Sequence, residues 1–255
     1  MSYGQYEILP EYYDALNSSA DYEAYARFFK EAVARYGSYG PKIVLDAACG
    51  TGELTCILAE DFDMIGVDLS EGMLELAAKK ARKAGRDVLF LNQDLTQLDL
   101  FGTVDAAVCS LDSLNYLTSY RTLCGALSKI AFFMMDGGIF VFDVNTLYRF
   151  ECVYADNAYV FDEDGLFCSW QNYYDEKKKI CDFYLSFFKE NADGTYTRSD
   201  EIQREKYHSD RTLRRALAEA GFEVIDVFSS TEFGKNFENA EKAYYVCRVH
   251  NHNKG

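Results

Sequence analysis

The chain has 255 residues, 49% of them hydrophobic, and its 26 basic and 41 acidic side chains give a formal net charge of −15. That length fits one domain with an added element, and the acidic charge disfavours a nucleic-acid partner because polyanions repel each other. Since the chain has no apolar run of about eighteen residues and no leader-like N-terminus, we expect a cytoplasmic protein with no membrane partner.

The predicted elements begin after a tyrosine-rich segment, residues 1–19, which has no clear hydrophobic period. Asp21 predicts the N-cap of a helix that continues to about Tyr36. Strands are predicted at 43–47, 63–67, 87–91, 104–109 and 138–144, and helices at 53–60, 71–84 and 118–134. Because strands and helices alternate, we expect a mostly parallel sheet with helices on both faces.

The alternation stops after the fifth strand. Across residues 147–207, aromatic and β-favouring residues are interrupted by turns, which predicts an antiparallel meander of three or four strands. A helix at 210–220 and strands at 222–228 and 243–249 then resume the alternation. We therefore expect an α/β fold with a seven-stranded sheet, in which residues 1–146 and 208–255 form one domain. Residues 147–207 form its antiparallel insert.

The first predicted strand leads into a loop of small residues. Ala48, Gly50 and Gly52 follow one another at a spacing of two, which lets the backbone approach a ligand closely. A dinucleotide-binding loop needs its third glycine three residues after the second, where this chain has Glu53. Asp46, just before the loop, would repel a pyrophosphate and attract a cofactor that has an amino group. The loop therefore favours S-adenosylmethionine (SAM) over NAD.

Acidic residues also end the next two strands, at Asp68 and Asp94. A carboxylate about twenty residues after a glycine loop can accept hydrogen bonds from both ribose hydroxyls. Over residues 41–145 this ordered set resembles the class I SAM-dependent methyltransferases, in particular bacterial small-molecule enzymes and the similar sugar N-methyltransferases. The resemblance implies a Rossmann-like fold, SAM as the cofactor, and methyl transfer to an N or O atom of a small-molecule acceptor.

The resemblance also implies which residues contact the cofactor. We predict these contacts at Tyr13, Asp46, Ala48, Gly50, Gly52, Asp68, Leu69, Met73, Asp94, Leu95 and Ser110. Two of them have a structural alternative, because Asp94 can cap a turn and Met73 can pack in a helix core. The tyrosine-rich segment around Tyr13 is expected to fold over the cofactor.

The stretch after the fourth strand offers groups for the acceptor. Asp112, Asn115 and Tyr116 supply a carboxylate, an amide and a phenol, and we predict them as catalytic residues that orient an amine or a hydroxyl. A polar helix cap with a core tyrosine is the alternative. A hydroxyl acceptor would need a base, for which Asp112 is the best candidate. No metal site is predicted, because the eight cysteines contain no C-x-x-C pair.

Other interpretations stay open from the sequence. The chain could be a catalytically inactive SAM-binding regulatory or scaffold protein, and an NAD-dependent oxidoreductase is disfavoured by the glycine spacing. The insert can cover the acceptor, with Trp170, Tyr173 or Tyr207 facing the substrate, or it can join two copies in a homodimer.

Overall fold

The computed structural model describes residues 9–163 and 165–250. The helices are α1 (Leu9–Leu16), α2 (Tyr22–Tyr36), α3 (Glu53–Leu58), α4 (Glu71–Ala84), α5 (Tyr120–Phe133) and α6 (Asp210–Ala220). The strands are β1 (Ile43–Ala47), β2 (Asp63–Asp68), β3 (Val88–Asn92), β4 (Val104–Cys109), β5 (Met134–Asn145), β6 (Ala158–Glu163), β7 (Leu166–Asp175), β8 (Ile180–Glu190), β9 (Tyr196–Lys206), β10 (Phe222–Phe228) and β11 (Lys242–Val249). Within the described residues, no helix is long and apolar enough to cross a membrane.

The seven-stranded sheet has the order β10-β11-β5-β4-β1-β2-β3. Its strands β1 to β5 pair in parallel, whereas β11 lies antiparallel between β5 and β10. One face packs against α2 and α3 and the other against α5 and α6, so both faces of the central strands are buried. The predicted Rossmann-like α/β fold is therefore confirmed.

Local sequence signals set the ends of the helices. The Asp21 carboxylate accepts a hydrogen bond from the Ala24 amide at 2.8 Å, which caps α2 as predicted. Ser70 caps α4 in the same way, and Gly85 ends that helix with a φ of 66°. The prediction missed α1, because Tyr12 is buried by contacts with distant elements and leaves no regular apolar period in the sequence.

A second, four-stranded sheet follows β5, with the antiparallel order β6-β7-β8-β9. This confirms the predicted meander. The inner face of the sheet is apolar in β8, where Phe183, Leu185 and Phe187 are buried. The Phe187 ring stacks on Tyr12 of α1, with their centroids 4.8 Å apart. The insert therefore packs directly against α1.

Candidate active site

A cavity of about 270 Å³ opens at the carboxyl ends of the parallel strands, the edge at which open α/β sheets bind ligands. The predicted site residues that line it are Tyr13, Ala48, Gly50, Asp68, Leu69, Met73, Asp94, Leu95, Asp112 and Tyr116. Further lining residues come from the second sheet and the segment before it: Arg149, Tyr154, Trp170, Phe183, Leu185, Gln203 and Glu205. The cavity therefore has one wall from the main sheet and one from the insert.

The glycine loop is held to the end of β2 by Asp68. Its Oδ2 accepts a hydrogen bond from the Gly50 amide at 2.8 Å, and its Oδ1 accepts one from the Ser70 amide at 2.9 Å. Burial raises the pKa of Asp68, and these amides partly offset that effect. Each carboxylate oxygen has two lone pairs, so each keeps one for a ligand hydroxyl. The geometry fits a ribose that donates two hydrogen bonds.

Asp46 lies below the loop and is not part of the cavity lining. Its Oδ2 accepts a hydrogen bond from the Thr55 hydroxyl at 2.6 Å, while its buried Oδ1 has no hydrogen-bond partner in the described part of the chain. Burial raises the pKa of Asp46 to about 7. A buried acceptor without a donor is costly, but Asp46 does not open onto the cavity, so its contact with the cofactor stays a prediction.

Two other predicted contacts also stand outside the main cavity. Gly52 packs against α4, where a β-carbon would come within 2.8 Å of the Ala77 side chain. Its small size therefore serves helix packing. Ser110 lines a small cleft of about 20 Å³ that shares Tyr13, Ala48 and Gly50 with the main cavity.

The residues after β2 and β3 also line the part of the cavity that contains the predicted cofactor contacts, which we call the cofactor half. Asp94 caps a short 3₁₀ turn, accepting a hydrogen bond from the Thr96 amide at 2.7 Å, and it also lines the cavity. Both interpretations of Asp94 therefore hold geometrically. Met73 likewise belongs to a buried cluster and lines the cavity, while Leu69 is 60% exposed beside it.

The helix α1 lies over the glycine loop. Its Asp14 accepts a hydrogen bond from the Thr51 hydroxyl at 2.6 Å and forms an ion pair with Lys80 of α4 at 2.6 Å. Tyr13, the residue before Asp14, lines the cavity. The remainder of the tyrosine-rich segment before Leu9 lies outside the described residues.

Asn115 is buried and joins three parts of the fold. Its Nδ2 donates a hydrogen bond to the Lys206 carbonyl at 2.8 Å, and its Oδ1 accepts one from the Asn145 amide at 3.0 Å. It does not line the cavity, in contrast to Asp112 and Tyr116. Its amide thus fixes the turn after β4 against β5 and β9.

Asp112 belongs to a buried charge cluster that motif analysis did not find. Lys242 of β11 contacts the Asp112 carboxylate at 2.5 Å and the Asp143 carboxylate at 2.6 Å. Although burial opposes ionisation, Lys242 and Arg149 lower the pKa of Asp112. By contrast, burial and the nearby Asp112 raise the pKa of Glu205 well above its usual value. Asp112 therefore keeps its charge, and Glu205 favours its protonated form.

Residues that the sequence analysis missed lie far along the chain from the glycine loop. Glu201, Gln203 and Glu205 alternate along β9 and are all buried, so three polar side chains point inward from one strand. The sequence shows that side chains along this strand alternate between two faces, but it does not show which face points inward, because that depends on how the insert packs.

Comparisons with known proteins agree with this geometry. A family model described as a methyltransferase domain matches residues 44–138. A predicted methyltransferase of Geobacillus sp. (strain WCH70) is 32% identical over 244 residues, covering 95% of this chain and 99% of that protein. A SAM-dependent methyltransferase structure from Clostridium acetobutylicum ATCC 824 is 27% identical, has a TM-score of 0.85, and is matched over 94% of this chain and 97% of its own.

A more distant structure shares the fold together with the insert. The sugar N-methyltransferase KedS8 from Streptoalloteichus sp. ATCC 53650 is 22% identical, with a TM-score of 0.79 over 98% of this chain and 97% of its own. The fold, the glycine loop and the full-length relative point to the same cofactor and enzyme class. The chain belongs to the SAM-dependent methyltransferases.

Proposed function

We propose that this methyltransferase modifies an N or O atom of a small molecule that binds between the main sheet and the insert. The observation that carries the proposal is a single cavity lined by Asp68 and Asp94 on one side and by Trp170 and Glu205 on the other. Cofactor and acceptor would thus share one enclosed space. Such placement supplies much of the rate enhancement when two reactants must meet in line.

In the cofactor half, the chain's own groups match the parts of SAM. Asp68 would accept hydrogen bonds from the ribose and Asp94 from the adenine amine, whereas Asp46, which was predicted to attract the amino group, does not line the cavity. Leu69 and Met73 supply apolar contact for the base. When bound, SAM supplies a methyl group on a positively charged sulfur, and the nearby carboxylates favour that charge.

In the acceptor half, the walls favour a small acceptor without a large negative charge. Tyr154, Trp170 and Phe183 provide aromatic surface, and the chain's overall charge of −15 repels polyanions. The likeness to a sugar N-methyltransferase supports the same choice. Within this proposal Asp112 orients the acceptor, because its ion pair with Lys242 makes it a weak base.

The insert would act mainly as a lid. Its inner face lines the cavity, which supports this role for residues 147–207. Its outer face carries Val160, Tyr173 and Tyr184, which are 62%, 64% and 45% exposed, and a homodimer would use that surface.

A labelled-cofactor experiment tests the proposal. The full-length protein is incubated with SAM carrying a tritiated methyl group and with fractionated small metabolites, and SAM affinity is measured separately by calorimetry. We expect SAM binding and transfer of label to a small molecule. Binding of SAM without transfer to any fraction would instead identify a non-catalytic SAM-binding protein.

A further inference from the structure

The acceptor end of the cavity carries an uneven set of buried charges. Three carboxyl groups, Asp112, Asp143 and Glu205, meet two cations, Lys242 and Arg149. Lys242 is held by two of the carboxylates, at 2.5 Å and 2.6 Å. Arg149 is also ion-paired with Glu241 at 2.7 Å, so with every group ionised four carboxylates face two cations and the cluster has two excess negative charges. The site therefore has room for one more positive charge.

Glu205 is the member of this cluster that can receive that charge. Its side chain is buried and lines the cavity, and its Oε2 accepts a hydrogen bond from Asn145 at 2.8 Å. Within residues 9–163 and 165–250, Glu205 forms no ion pair. The groups that face it are Asp112 after β4, Asn145 on β5, Arg149 and Tyr154 after β5, and Cys181, its neighbour on β8.

The walls beside Glu205 are apolar surfaces whose polar atoms are already bonded. The Trp170 indole donates a hydrogen bond to Asn172 at 2.6 Å, and the Tyr154 hydroxyl accepts one from Asn145 at 3.2 Å. Phe183 packs edge-on against both rings. A molecule bound here would meet aromatic faces and, at one point, a carboxyl group that forms no ion pair with the described residues.

We propose that Glu205 binds and deprotonates the acceptor, and that this acceptor is an amine carried on a ring-sized apolar group. This inference rests on the proposed methyl transfer. Either a proton on Glu205 or an ammonium beside the ionised carboxylate removes one excess negative charge from the cluster, so the ammonium replaces the proton when the acceptor binds.

The transfer step then balances in atoms and charge. The ammonium N–H proton moves to the Glu205 carboxylate, which frees the nitrogen lone pair. That pair forms the new nitrogen–carbon bond to the methyl group as the carbon–sulfur bond breaks, and the electrons of the broken bond stay on sulfur. The product is a methylated ammonium beside protonated, neutral Glu205, which holds the product less strongly than the ionised form held the acceptor.

The test uses full-length protein with S-adenosylhomocysteine present and absent, and two probes of equal size, benzylamine and benzyl alcohol. Calorimetry at neutral pH in two buffers that differ in ionisation enthalpy gives both the affinity and the number of protons released. We expect benzylamine to bind with release of about one proton, because a cation replaces a proton, and to bind about tenfold or more tightly than benzyl alcohol.

Matched variants test whether Glu205 is responsible for the benzylamine affinity and for the proton release. Glu205→Gln should weaken benzylamine about tenfold or more and abolish proton release, because the amide cannot ionise. Glu201→Gln is the control, since Glu201 lies on the same strand, faces inward, is equally buried and does not line the cavity. Glu205→Asp keeps a carboxyl group and should retain proton release, which covers the case in which Glu205→Gln fails to fold.

Several results would overturn the proposal: no saturable binding of benzylamine to the wild type, binding without proton release, or unchanged binding in folded Glu205→Gln. SAM affinity and label transfer are measured independently of the probes. Proton-coupled amine binding without label transfer would reject methyl transfer alone, whereas label transfer without amine binding would reject only the role of Glu205.

Discussion

Asp68 offers the sharpest test of the cofactor half. In Asp68→Ala the Gly50 and Ser70 amides lose their acceptor, and so would the two ribose hydroxyls. Hydrogen bonds to a charged group contribute about 1.5–3 kcal/mol, so we expect the SAM dissociation constant to rise roughly 10- to 150-fold. S-adenosylhomocysteine has the same ribose and should lose affinity by the same factor.

The assay must separate lost contacts from a displaced loop. Calorimetric titration with both ligands is combined with circular dichroism and thermal unfolding of each variant. Asp68→Asn is informative, because one oxygen remains while the new NH₂ group faces a backbone amide donor. Asp63→Ala is the matched control: it lies at the exposed start of the same strand and pairs only loosely with Lys42, at 3.6 Å.

Unchanged SAM affinity in folded Asp68→Ala would refute the ribose assignment. Weaker SAM binding with equal weakening in Asp63→Ala would show a general loss of β2 stability instead. Selective loss at Asp68 with retained secondary structure is the result that the geometry predicts.

Four further predictions follow from other parts of the molecule. Burial lowers the pKa of His208 from 6.5 to about 4, so between these pH values the unfolded chain binds a proton that the native protein does not. The free energy of unfolding should therefore fall as the pH drops through that range, and denaturant titrations of His208→Gln should show a flatter profile. Deleting residues 1–19 should leave a core that is folded by circular dichroism but binds SAM weakly in calorimetry; normal affinity would show that α1 does not cover the cofactor. Trp170→Ala should reduce turnover at unchanged mass in light scattering, whereas dissociation would indicate that the insert joins two copies. Asn115→Ala should lower the unfolding free energy by about 1–3 kcal/mol, because it leaves two buried backbone groups unpaired; unchanged stability would contradict that structural role.

The cofactor half was predictable because its signals are local in sequence. A strand, a glycine loop and a carboxylate at the next strand end lie within a few turns of one another, and the Gly50–Asp68 hydrogen bond spans only 18 positions. Most helices and strands could be predicted for the same reason, because their signals come from neighbouring residues. β5 begins earlier than predicted, at Met134, where a register shift in its pairing with β4 lets the strand extend toward α5.

The acceptor half was not predictable, because its contacts join distant residues. Lys242 stands 130 positions from Asp112, so nothing near Asp112 showed that its charge would be neutralised. Asn115 offered the chemistry of an orienting amide, yet a partner 91 positions away fixes it in a structural contact. In both cases residue type indicated what a side chain could do, while packing decided what it does.

One short helix, α1, contacts both the glycine loop and the insert. Asp14 holds it to the glycine loop and to Lys80, and Tyr12 holds it to Phe187 of the insert. A movement of α1 away from the glycine loop would therefore also disturb its contact with the insert strand β8. A displacement of α1 would thus open the cofactor and acceptor parts of the cavity together, which would couple release of the methylated product to exchange of the cofactor.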